Sequence, residues 1–183
     1  MKKSIKIFCF IIIICILIYA SITVVYLKKS NVYELISCST QPSGYFQLQE
    51  IQIQKTCETY LLNLRGNSED IQDLQSGRPF GFIFSHDTST ETKKNLLTFF
   101  IKKGFDINKQ DADGFTFMDA AILEGSPQEV QMLIDAGFNL NIKGSKINKT
   151  GLEFAEKINS KKHTPETEKI VEILKKASAK NDS

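Results

Sequence analysis

Apolar and polar positions divide the chain into stretches of different period. From Ile7 to Leu27 the residues are almost continuously apolar, with Lys2, Lys3 and Lys6 before them and Lys28 and Lys29 after. At 1.5 Å per residue such a run can cross a hydrocarbon core of about 30 Å. No polar face interrupts it, as one would in a helix laid against a soluble core. It is longer than the roughly 7–15 apolar residues of a removable signal peptide. Residues 1–29 therefore read as an uncleaved signal anchor, with cleavage after the small Ala20 as the alternative. The lysine bias places the N-terminus inside and the bulk of the chain outside the cytoplasm.

Residues 30–46 contain Ser, Asn, Pro and Gly with little periodicity and read as a tether, Gln41-Pro-Ser-Gly44 supplying a turn. A helical pattern returns from Phe46 to Leu64, with Leu48, Ile51, Tyr60, Leu61 and Leu64 as the predicted buried set. Gly66-Asn67 stops it, and a short helix opens at Ser68, where Glu69 and Asp70 suit the positive N-terminal end. Segment 47–76 is thus expected to be a helical N-terminal cap. Pro79 is acceptable in the first turn of another helix. Thr92 to Lys103 then predicts a helix with Leu96, Leu97, Phe100 and Ile101 on its apolar face.

Two segments repeat one pattern: Asn95-Leu-Leu-Thr-Phe-Phe-Ile-Lys-Lys-Gly-Phe-Asp-Ile-Asn108 and Glu129-Val-Gln-Met-Leu-Ile-Asp-Ala-Gly-Phe-Asn-Leu-Asn141. Gly104 and Gly137 are 33 residues apart. With Asp111, Gly114, Thr116, Ala121, Gly125, Val130, Leu133, Gly137 and Asn141 at their offsets, the unit from Asp111 to Lys143 resembles an ankyrin repeat. Thr116 is expected to cap the first helix and Gly125 to break between the two. Phe117 and Asp119 stand where the family has proline and histidine, and Asp119 reads as a variant of the scaffold. Asn148-Lys-Thr-Gly-Leu-Glu-Phe-Ala155 echoes Gly114 to Ala121, with Asn148 and Asn159 in place of glycines. Pro165 opens a polar last helix over Glu166 to Ala177, as a terminal cap requires. Residues 78–84 with 92–103 make a divergent first unit.

The resemblance implies an all-α fold: a short ankyrin-repeat solenoid of about three units over 77–179, outer ones degenerate. A transmembrane helix precedes it and a disordered tail, 180–183, follows.

Charge narrows the function. Five of the 23 basic residues lie at or before Lys29, leaving 18 against 21 acidic groups. The remainder is slightly acidic and offers no basic face for phosphates, so nucleic-acid binding is not expected. Cys9 and Cys15 lie in the apolar run. Cys38 and Cys57 form an even pair that an exported domain would join as a disulfide, free thiols being the alternative. His86 and His163 sit in polar loops away from any cysteine cluster, so no metal is expected. Asp111-Ala-Asp113-Gly114 lacks the later ligands of a calcium loop. No catalytic motif occurs, and neither enzyme chemistry nor a cofactor is expected.

By the resemblance, partner contacts come from variable positions of the hairpin and first helix: Ala112, Asp113, Phe115, Leu123 and Glu124. Phe115 and Leu123 are apolar where the unit faces outward, beside acids. The expected partner is another protein, with the membrane engaged through residues 7–27. The architecture resembles that of antitoxin-like immunity proteins: an inner-membrane anchor, a periplasmic repeat domain and a secreted toxin as partner. A membrane-anchored scaffold for a resident complex is the alternative.

Overall fold

The computed structural model describes residues 2–40, 47–76 and 89–181, and within them the chain is all-α. The first helix, α1 (Lys2–Lys29), has one apolar span, Ile7–Lys29, with a mean hydropathy of 3.0 and length enough to cross a membrane. Its side chains from Ile7 to Tyr26 stand exposed, Thr23 excepted, and only Leu27 enters a protein core.

The 30–46 tether is corrected by a helix, α2 (Val32–Thr40). Asn31 and Glu34 cap it reciprocally: Glu34 N donates to Asn31 Oδ1 at 2.8 Å, and Asn31 N to Glu34 Oε2 at 3.1 Å. Val32, Leu35 and Ile36, spaced i, i+3, i+4, are fully buried. They pack against α3 (Gln47–Leu64), and a Cys38–Cys57 disulfide joins the two helices with the Cα atoms 5.9 Å apart.

In α3, Leu61 is buried and Tyr60 half-buried, whereas Leu64, expected inside, is 69% exposed. Leu64 ends the helix, so no further turn covers it. The side chains of Leu48 and Ile51 lie outside the described residues. The short α4 (Ser68–Ser76) buries Ile71 and Leu74.

The repeat region begins with α5 (Thr90–Lys102), opened by Ser89, whose hydroxyl accepts from Thr92 N. Leu96, Leu97 and Phe100 are buried and Ile101 half-buried. Residues 78–84, expected as the first helix of this unit, lie outside the described residues, as does His86. Next come α6 (Phe117–Glu124) and α7 (Pro127–Asp135), then α8 (Gly151–Lys161) and α9 (Pro165–Asn181). The last helix thus takes in Lys180 and Asn181 from the expected tail.

The 33-residue period is visible in backbone geometry. After α5, Gly104 takes φ +99° and Phe105 N donates to Phe100 O at 2.9 Å; after α7, Gly137 takes φ +88° and Phe138 N donates to Leu133 O at 3.0 Å. Both are left-handed helix stops, conformations that disfavour a Cβ. Each stop turns the following phenylalanine into the core, and Ile107 and Leu140 follow it there. Within the stack α6 packs on α7 and α8, while α9 covers α8 and α7.

Two expectations about the last unit divide. Asn148 does take the left-handed conformation, at φ +52°. Asn159 does not, because α8 continues through it to Lys161. Its side chain instead accepts from the Thr167 hydroxyl at 2.7 Å, tying α8 to the start of α9.

Candidate protein-binding face

The hairpin before α6 is shaped by one carboxylate. Asp111 Oδ1 accepts from the backbone N–H groups of Asp113 and Phe115, both at 2.9 Å. This Asx-type turn leaves Ala112 and Asp113 exposed at the tip. Phe115 turns back and is half-buried against the core. The next hairpin stacks on this one: Lys146 N donates to Gly114 O at 3.0 Å. Gln110 accepts from Ser145 N at 2.9 Å and donates to Lys143 O at 3.2 Å.

From the tip the chain enters α6 through a capping box. Thr116 Oγ1 accepts from Asp119 N at 3.1 Å, and Asp119 Oδ2 accepts from Thr116 N at 2.8 Å. Asp119, in the family's histidine position, is therefore a buried capping residue. Burial pushes its carboxyl above the ordinary 3.8, against the hydrogen bonds from Thr116.

Along α6 only Ala120, Leu123 and Glu124 reach solvent, and their i, i+3, i+4 spacing puts them on one strip. Leu123 is 55% exposed. The predicted contact residues thus form two groups, Ala112 with Asp113 at the hairpin tip and Leu123 with Glu124 at the far end of α6. Ala120, half-buried, lies on the strip between them.

Residues one unit later on the same face were missed. Shifting the variable positions by the 34 residues that separate Gly114 from Asn148 carries Ala112, Phe115 and Leu123 to Lys146, Lys149 and Lys157. Lys146 and Lys157 are exposed and Lys149 half-exposed. The face therefore changes sign, acidic at Asp113 and Glu124 and basic one unit further on. The same shift applied to the sequence would have found it.

Elsewhere, Lys93 of α5 and Glu129 of α7 make a buried ion pair at 2.6 Å. A groove of about 530 Å³ runs among α5, α7 and α9, floored by Leu97, Met132 and Ile173 and rimmed by Lys94, Asp135 and Lys169. His163, exposed, pairs with Asn159 Oδ1 at 3.1 Å. Among the described residues no three His, Cys, Asp or Glu side chains gather as metal ligands would.

Residues 86–134 match the family model for ankyrin repeats (many copies). The chain contains ankyrin repeats. No curated protein and no solved structure matches it. The matched stretch runs from just before α5 almost to the end of α7, so it contains the hairpin tip and all of α6. Ankyrin repeats are protein-interaction modules, and the tip and the α6 strip are exposed parts of the matched stretch.

Proposed function

We propose that this protein is a membrane-tethered binding module of a bacterial cell: α1 anchors it in the inner membrane, the ankyrin stack faces the periplasm, and the stack neutralises a secreted toxin as an immunity protein. One observation carries the reading. The only large apolar side chain exposed among the described residues of the repeat stack, Leu123, lies beside Glu124 on the strip that leads from the Asp113 tip. An exposed aliphatic residue flanked by acids is a candidate anchor for a partner.

The compartment is supported by the Cys38–Cys57 disulfide, since such bonds persist in oxidising environments such as the periplasm. The exposed apolar length of α1 supports the anchor. The change from acidic to basic along the face fits a partner with the opposite order of charge, which would fix its register.

Competition between sister cells tests the reading. A strain lacking the protein should lose viability beside wild-type neighbours, and the wild-type gene should restore it. A copy with Asp113, Leu123 and Glu124 replaced by alanine should not, although it accumulates to the same level in membranes. Full protection by this variant would remove the face from the function. Unchanged survival of the deletion strain would remove the immunity role.

A further inference from the structure

We propose that the corner between α3 and α4 is a lipid-contact site, at which Leu64 enters the bilayer surface beside the exit of α1. The proposal rests on α1 spanning the membrane. Its starting point is that no free linker separates α1 from the folded cap. Ser30 N still donates to Tyr26 O at 3.0 Å, so the helical path continues through Ser30, and Val32 is already fully buried. Leu27, the last residue of the apolar run, packs in the same core.

Arg65 then reaches back across the corner. Its Nη1 donates to Ser30 O at 2.6 Å, while Nε donates to Asp70 Oδ2 at 2.9 Å and Nη2 pairs with Asp70 Oδ1. Gly66 N donates to the same Asp70 Oδ2 at 2.7 Å. Ser30 is three residues beyond Leu27, about 4.5 Å along the helix axis. The headgroup layer on each side of a hydrocarbon core is about 5–7 Å deep. The Arg65 guanidinium thus lies at headgroup height. Its neighbour in sequence, Leu64, is the most exposed large apolar side chain outside α1 among the described residues, at 69%.

A leucine exposed at that height is covered by lipid at no cost to the fold. Lys28 and Lys29, both exposed, flank the exit with positive charge that suits anionic headgroups. On its other side the corner meets the repeats: a Cβ at Gly66 would press on Phe99 and Lys103 of the first unit. The contact would therefore hold the ankyrin stack against the membrane instead of leaving it to swing on a tether.

The chain has no tryptophan, so a single one reports its own surroundings. Full-length protein carrying Leu64→Trp, Tyr19→Trp or Leu123→Trp is reconstituted into vesicles of phosphatidylcholine and phosphatidylglycerol, with and without brominated acyl chains. Tyr19 lies within the apolar run, and Leu123 is a comparably exposed site on the repeats, where tryptophan has the same intrinsic preference for interfaces. The Leu64→Trp protein should lose about half of its emission to bromine and shift to shorter wavelength, as a shallow membrane residue does. Emission from Tyr19→Trp should be quenched more strongly, and that from Leu123→Trp should be unaffected. Quenching of Tyr19→Trp, with Leu64→Trp behaving like Leu123→Trp, would overturn the lipid contact and leave the anchor standing. An unquenched Tyr19→Trp would overturn the anchor and the contact with it. Circular dichroism of each variant confirms that the comparison is made on folded protein.

Discussion

Asp119 and Glu153 hold equivalent places in successive units, each the third residue of a first helix and each closing a capping box on its threonine. Their carboxyls are displaced in opposite directions. Burial raises Asp119 from 3.8, so its contribution to stability is present below that value and lost as pH rises through the folded one. In Glu153, exposed at the surface, the backbone hydrogen bond from Thr150 lowers the carboxyl from 4.5; its contribution is present above that value and lost as pH falls through the folded one. Asp119→Asn should therefore gain in melting temperature relative to wild type as pH rises from acid to neutral, while Glu153→Gln should lose. Differences that do not change with pH would contradict the assignment. The cap at Thr116 was legible because four consecutive residues define it. The burial of Asp119 was not, since the cover comes from the next hairpin, where a Cβ at Gly144 would strike its carboxylate.

At the scale of elements, α2 was present in the sequence and overlooked. Asn31 and Glu34 stand at capping-box spacing, and Val32, Leu35 and Ile36 follow one helical face, but the nearby Pro and Gly drew the whole stretch into a tether. Leu35→Ala separates the two descriptions. A fully buried leucine truncated in a packed helix costs about 2–5 kcal/mol, seen as a lower denaturation midpoint, whereas in a tether it would cost nothing. Reducing Cys38–Cys57, which closes a 19-residue separation, should remove about 3 kcal/mol by chain entropy. The reduced protein should stay folded, because Val32, Leu35 and Ile36 hold α2 independently of the bond. Equal stability before and after reduction, with non-reducing mass spectrometry showing the linkage present, would contradict the entropic account. Leu64 teaches the complementary lesson: helical periodicity assigns a face, but at the last residue of a helix it does not say whether anything lies opposite.

For the whole molecule, the repeat was legible because its determinants are local: glycine stops and apolar triplets recurring at 33 residues, and threonine caps 34 apart. The relations between units were less so. The Lys93–Glu129 pair joins residues 36 apart and follows no period, and the cap meets the first unit through Gly66, Phe99 and Lys103, which no pattern connects. The binding face was half legible, its acidic part read from one unit and its basic part missed in the next. The central claim is that the partner docks on the hairpin and first-helix side of the stack, not in the groove among the second helices. A photo-crosslinking amino acid placed at Leu123, and separately at Gln131 in the groove, tests it in whole cells. The account predicts a discrete adduct with a second protein from Leu123, weakened when Asp113 and Glu124 are changed to alanine, and none from Gln131. An adduct from Gln131 with none from Leu123 would put the partner on the opposite side and contradict it.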